Sequence, residues 1–394
     1  MMLLKLAVRN LLNAGLRTWL NVFVLSLAFV LIIAVQGLIQ GMNRQAEEAM
    51  IATEVGGGHF QHPAYDPYDP LTLTDAHGPL PAPLTSLAAS GQAAPVLVTQ
   101  GTIYPSGRLY TVLVKGIDPG QKVLNLPTSF LAETLPGEAI PVLIGQRLAK
   151  TTGLKEGDTF TLQWRDAHGT FDALDAVVVK VFSTTVQTVD SGQIWVPLDR
   201  LRAMTELPGQ ATYAVLATNA PIPPPASVTP WVFRSRDDFL ADLRALVKTK
   251  TVGSSIVYII FMALAMLAIF DTQVLSIFRR RKEMGTLMAL GFTRGRVIAL
   301  FTLEGFLYGV LGAIVAAAYG VPFLAWFAHT GWAMPAGVES YGFAIGQRLF
   351  PAFSAGLVAG TTVLVLIVTT VVSFLPTRRI ARLKPTDALR GRLS

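Results

Sequence analysis

The chain contains no cysteine in 394 residues. That absence excludes a disulfide framework, a thiolate nucleophile, a cysteine metal site and a lipobox. Familiar catalytic patterns are missing too. There is no GxxxxGK[ST] loop to cradle nucleotide phosphates, no GxSxG nucleophile elbow and no HExxH helix. The chain therefore does not hold ATP in the P-loop manner by itself. Charge is thin as well: 14% of residues are charged against 52% hydrophobic, with a mean hydropathy of +0.49. Such values lie well off the profile of a water-soluble protein.

Long apolar runs are what the chain has in excess. Trp19 to Gln40, and approximately Val252 to Phe278, Val297 to Phe327 and Pro351 to Leu375, each reach the roughly 20 residues an α-helix needs to cross a bilayer. The first run is longer than a signal-peptide core, and no small-x-small cleavage site follows it, so it reads as an uncleaved anchor. Residues 41–250 carry ordinary charge density and turn chemistry and must fold outside the membrane. The chain thus divides into an interfacial helix at 1–18, crossings at 19–40, 251–278, 297–327 and 351–375, an outer domain at 41–250, a basic loop at 279–296, a short outer loop at 328–350 and a tail at 376–394.

The net charge of +7 is a matter of location. Lys5, Arg9 and Arg17 precede the first crossing. Arg279, Arg280, Arg281, Lys282, Arg294 and Arg296 share the basic loop with Glu283 as its acid. Arg378, Arg379, Arg382, Lys384, Arg390 and Arg392 share the tail with Asp387. These segments hold 15 of the 32 basic residues, whereas 41–250 has 16 basic against 20 acidic. The positive-inside rule places both termini and the 279–296 loop in the cytoplasm and the large domain outside. The basic excess is a topology signal; its partner is the membrane lipid, and nucleic acid is not indicated.

Periodicity fills in the pieces. Lys5, Arg9, Asn13 and Arg17 recur every four residues among leucines, as in a helix lying on the membrane surface. Met42 to Ala52 reads as an outward continuation of the first crossing. Arg234 to Lys250 carries Phe239, Leu240, Leu243, Leu246 and Val247 at helical spacing, a second stalk. Between them VLVTQGTIY, YTVLVKGID, TFTLQW, AVVVKVF and QIWVPLD read as strands, with breaks at 63–70, 78–83 and 221–230. The fold class is an α-helical membrane protein with four transmembrane helices and an α+β extracytoplasmic domain, the latter open to division into two lobes.

Candidate chemistry is sparse. His59 and His62 with Asp66 and Asp69 form a metal-like cluster, read as part of a Pro-rich surface loop. That spacing arises readily by chance, and Pro63 and Pro67 oppose a helix presenting both imidazoles. Asp271 and Glu304 fall within crossings, where carboxylates are functional by default, although both lie near enough to the cytoplasmic face for a structural pair. Gly305, Gly309, Gly312 and Gly320 lie on ridges of small residues that permit close helix packing. The sharpest local signal is RRRKEMGTLMALGFTRGR, where a basic cluster gives way to Met284, Leu287, Met288 and Leu290 and breaks at Gly291. An ordinary charged turn seldom presents such an apolar face to the cytoplasm, and this one suits docking into a groove on a soluble protein.

The loop RRKEMGTLMALGFTRGRV, the helix EGFLYGVLGAIVAAAYG and the tail RRIARLKPTDALRG resemble the FtsX-like permease domain of MacB-type ABC transporters. VKGIDP and IGQRLAKTTGLKEGDTFTL resemble the periplasmic core domain of that superfamily, and LAVRNLLNAGLRTWLNV its first segment. Among the branches, RKEMGTLMALGFTRGRV and GGGHFQHPAY are similar to the lipoprotein-releasing permeases of LolC and LolE type. The resemblance implies a permease of the bacterial inner membrane, without catalysis or cofactor of its own, whose ATP is bound by a separate cytoplasmic ABC ATPase. It implies pairing with a second permease, identical or different, and a periplasmic chaperone or cargo lipoprotein as further partners. Glu283, Gly285, Leu287, Ala289, Leu290 and Gly291 would form the coupling segment that touches the ATPase. Other readings are a membrane regulator of a periplasmic cell-wall hydrolase, a sensor (disfavoured by the short cytoplasmic segments) and a membrane hydrolase (disfavoured by the missing nucleophile–base pattern).

Overall fold

The computed structural model describes residues 2–13, 15–241, 244, 263, 267, 270, 271, 274, 275, 278, 280–333 and 348–380. The expected crossing at 251–278 therefore lies largely outside the described residues. So do most of the outer loop, the second stalk beyond 241 apart from Arg244, and the tail beyond Ile380. Among the described residues three helices are long and apolar enough to cross a membrane: Trp19–Val55, Arg294–Thr330 and Ala355–Arg378. The chain forms two units. One comprises Met1–Arg44, Thr249–Ala333 and Arg348–Ser394; the other comprises Gln45–Lys248 and Met334–Gln347.

The first unit is helical. α1 (Met2–Asn13) precedes α2 (Leu16–Met50), whose first part belongs to this unit. Hydrocarbon offers no water to backbone polar groups, so a helix is the form in which a single apolar segment can satisfy them. The short α7 (Arg281–Ala289), the long α8 (Arg294–Thr330) and α9 (Ala355–Ile380) follow, and a short antiparallel pair, Trp332–Ala333 with Arg348–Leu349, lies between the last two. The last helix starts after Pro351 because residues 350–353 do other work. The Ala352 N–H donates to the Gly37 carbonyl at 2.9 Å, and the Ser354 hydroxyl accepts from the Leu357 N–H at 3.2 Å as an N-cap. Gly37 and Gly41 leave space for the Phe353 ring and the Phe350 carbonyl, which a Cβ at either position would strike.

Glycine also sets the helix contacts of α8. A Cβ at Gly305 would overlap the Ser373 hydroxyl of α9, and one at Gly309 would lie 2.8 Å from Thr369 Oγ1. Gly312 and Gly320 face the other neighbour: added Cβ atoms would lie 3.0 Å from Leu25 Cβ and 2.7 Å from Val30 Cγ2 of α2. The α9 face against Gly305 and Gly309 is polar. Thr369, Ser373 and Thr377 are wholly buried, and each satisfies its hydroxyl on a carbonyl one turn back, as Ser373 does on Thr369 at 2.7 Å.

The second unit is built on strands: β1 (Gly58–Gln61), β2 (Gly78–Pro79), β3 (Ala93–Ile103), β4 (Tyr110–Ile117), β5 (Ile140–Gly145), β6 (Thr159–Arg165), β7 (Phe171–Phe182), β8 (Gln193–Pro197), β9 (Gln210–Ala211), β10 (Tyr213–Leu216) and β11 (Val232–Ser235). Short helices α3 (Ala82–Ala89), α4 (Gln146–Thr152), α5 (Gln187–Ser191) and α6 (Leu198–Met204) lie between them. The main sheet runs β11-β1-β10-β3-β4-β8-β5-β7-β6, and β6 also pairs with β3, so six strands close on themselves. β3 is long enough to serve both parts: Ala93–Val96 pair with β10 and Gly101–Ile103 with β6. Every strand expected from the pattern is present. β1, β5, β10 and β11 join them.

Side-chain alternation sorts the interior into cores. Val112 and Val114 of β4 and Ile194 and Val196 of β8 enter one cluster with Phe160, Leu162 and Trp164. Ile117 and Trp195 face the opposite way, into a second cluster with Val96, Val98, Tyr213 and Val215. Lys115, Gln193 and His59 share that second face by the same period of two.

Replacing Gly305 with Leu forces side chain into the α8–α9 contact, whereas Gly360, with nothing within 4 Å of an added Cβ, accepts it. Gly305→Leu is expected to cost about 1–3 kcal/mol, read as a lowered unfolding temperature of the detergent-solubilised chain, with Gly360→Leu near wild type.

Candidate functional site

α7 and α8 form a hairpin whose corner has a defined lock. Gly291 takes φ +90°, a conformation that side chains resist. Its N–H donates to the Met288 carbonyl at 3.1 Å, and the Phe292 N–H reaches back to Leu287 at 3.0 Å. These are the paired bonds of a Schellman stop, with Leu287 and Phe292 supplying its apolar contact. The corner is held from within by Ala7 of α1, Met284 of α7 and Val297, Leu300 and Phe301 of α8, all buried.

This packing divides the expected coupling residues into two sets. Gly285 is buried and Leu287 half-buried, so both build the hairpin. Glu283, Ala289, Leu290 and Gly291 are exposed, and Leu290 stands 74% exposed at the tip. Leu290 is thus an exposed apolar side chain in a segment that also exposes Lys282, Arg294 and Arg296.

Glu304 and Asp271 fall into different surroundings. Glu304 is buried in α8 and pairs with Arg280, just before α7. Arg280 also binds Glu283 through Nε at 2.7 Å and lies 4.8 Å from the Phe301 ring centroid. One guanidinium thus joins the start of α7 to α8, which neutralises a carboxylate that would otherwise be costly at that depth. Asp271 is exposed on a helical segment.

In the outer domain, polar residues missed in the sequence converge on one sheet face. α2 ends in a π turn, Ile51–Val55, which carries Glu54. Glu54 Oε1 accepts from Lys115 Nζ at 2.9 Å and from Gln193 Nε2 at 3.3 Å. Lys115 is only 3% exposed and lies 5.2 Å and 5.7 Å from the ring centroids of Trp195 and Tyr213. His59 stacks parallel on Tyr213 with centroids 4.8 Å apart, and its Nε2 bonds the Glu54 carbonyl at 2.8 Å.

The same geometry corrects the surface-loop placement of His59. His59 is buried on β1 and committed to Glu54, whereas Asp66 and Asp69 cap local turns through Tyr68 and Leu71. Among the described residues no group of three metal-capable side chains occurs.

Burial pushes the His59 imidazole down to about 4, outweighing the favourable effect of Glu54. The folded protein therefore keeps His59 neutral while the unfolded chain, near the ordinary 6.5, takes a proton as pH falls. Stability is full above about pH 6.5 and is lost towards pH 4, by up to about 3 kcal/mol. His59→Phe retains the stacking and removes this titration. Unfolding temperatures measured from pH 7 to pH 4 should fall less steeply for the variant than for wild type.

Known families account for both units. The FtsX-like permease C-terminal domain matches residues 255–385, and the MacB-like periplasmic core domain matches residues 18–229. Over 124 residues the chain is 28% identical to an uncharacterized ABC transporter permease of Methanocaldococcus jannaschii. That alignment takes in 31% of this chain and spans only 28% of the relative's length. The core-domain match alone covers more than half of the chain, the permease domain follows it in order, and the chain belongs to the MacB/FtsX-like family of ABC transporter permeases.

Proposed function

We propose that this permease transmits ATP-driven motion from a separate cytoplasmic ATPase to its outer domain, and so extracts or exports lipoproteins or similar amphiphiles. The observation that carries the reading is the α7–α8 hairpin: a rigid corner with Leu290 exposed at its tip, in a segment whose basic residues assign it to the cytoplasm. In this reading the termini and residues 279–296 face the cytoplasm, residues 41–250 and 328–350 face outward, and 251–278 supplies a fourth crossing. ATP sits on the partner, since the chain has no P-loop. The family implies a partner ATPase, and a second permease, identical or different, completes the assembly.

Helix packing favours transmission over a solute channel. α8 meets α9 through Gly305 and Gly309 with no room for one added methyl, so at these positions the contact leaves no gap for a solute. An amphiphile whose lipid anchor starts in the bilayer needs none. The lipoprotein assignment itself rests on RKEMGTLMALGFTRGRV and GGGHFQHPAY.

Mild-detergent isolation from native membranes, with mass spectrometry of what co-elutes, tests the whole reading. An ABC ATPase together with acylated peptides supports it. An ATPase with a periplasmic cell-wall hydrolase points to the regulator, and no ATPase contradicts transport. Within the complex, Leu290→Asp is expected to abolish ATPase co-elution and leave the unfolding temperature unchanged. Leu287→Asp, by contrast, places a charge in the hairpin interior and should lower that temperature.

A further inference from the structure

The outer end of α2 is caught at several points as it enters the second unit. The π turn closes through the Gly56 N–H to Ile51 at 2.8 Å, and the Asn125 N–H donates to Ala52 at 2.7 Å. Gly56, Gly57 and Gly58 then thread between neighbouring strands. Added Cβ atoms would lie 2.5 Å from the Leu216 carbonyl, 2.5 Å from that of Ala217 and 2.9 Å from that of Arg234. A bidentate pair, Arg244 Nε and Nη2 on Glu47 at 2.8 Å and 2.9 Å, ties Arg244 to the same stalk.

Glu54 is the side chain of this turn that bonds Lys115 and Gln193. Its partners sit on β4 and β8, parallel neighbours in which Lys115 stands opposite Trp195. π turns are rare and concentrate at functional positions. A buried ion pair is a poor source of stability, because desolvation offsets most of its attraction; what it can add is a single defined geometry. An apolar residue at 54 would lack the bonds to Lys115 and Gln193 that fix the direction of the stalk.

We propose that Glu54, through Lys115 and Gln193, is the joint that makes the stalk end of α2 and the closed six-strand sheet one rigid body, so that displacement of the stalk is delivered to β4 and β8. Its purpose rests on the transmission reading above. Its existence is tested without ATPase or nucleotide, so the failure of either is separately visible.

The chain's lack of native cysteine allows clean spin labelling at Glu48→Cys on the stalk and Thr111→Cys on β4, both exposed, in the full-length protein in nanodiscs. Pulsed EPR on the otherwise native chain should give one narrow stalk–sheet distance. Glu54→Gln alone should broaden it, and the charge swap Glu54→Lys with Lys115→Glu should narrow it again. Glu54→Gln with Lys115→Met removes the pair without leaving a buried charge, so it should fold with an unchanged unfolding temperature and still give a broad distance. A side chain that only stabilised the fold would shift the unfolding temperature and leave the distance narrow. A broad distance in the native chain, or a narrow one in the neutral double variant, overturns the joint.

Discussion

A helix surrounded by hydrocarbon gains nothing by moving its apolar side chains from lipid to protein. Association inside a membrane must come from close contact and from the few polar groups present. That constraint shapes the first unit. α8 spends side-chain volume at Gly305, Gly309, Gly312 and Gly320 to bring its backbone against Ser373 and Thr369 on one side and Leu25 and Val30 on the other. The hydroxyls of Thr369, Ser373 and Thr377 are satisfied within α9 itself, so these three add no unpaired donor to the contact. Where an acid cannot be avoided, as at Glu304, a guanidinium from the neighbouring turn meets it.

The outer domain obeys the complementary rule. Water drives its apolar cores together, and on one sheet face the period of two gathers polar partners. Lys115, Gln193, His59 and Tyr213 come from four strands yet meet because each occupies the same face. Glu54, delivered by the π turn, completes the set. Both units thus contain a corner built around an acid held by a base: Arg280 with Glu304 and Glu283 at the α7–α8 hairpin, and Lys115 with Glu54 at the end of the stalk.

Sequence patterning made the local features legible and left the distant ones hidden. The strand at 159–164 alternates and announces itself. IPVLIG is buried along its whole length and shows no alternation, so β5 could not be told from a loop or a buried helical turn. Pro63 and Pro67 drew His59 into an apparent loop, although the strand GHFQ ends before them. Gly291 and the glycines of α8 could be read directly, because only close approach or an unusual backbone calls for glycine there. Their partners could not. Lys115 lies 61 residues from Glu54 and Gln193 lies 139 away, separations that no local pattern encodes. The division of the hairpin into an inward Leu287 and an outward Leu290 likewise required the packing of α1 and α8 to be known.

The central claim is that a nucleotide event on a cytoplasmic partner alters the outer domain. Hydrogen exchange on the permease–ATPase complex in nanodiscs, compared with and without ATP under conditions that block hydrolysis, reads it most directly. Transmission requires ATP to change the exchange of amides within 45–248, although no nucleotide touches that domain. Identical exchange there in both states, with ATP demonstrably bound, would contradict it.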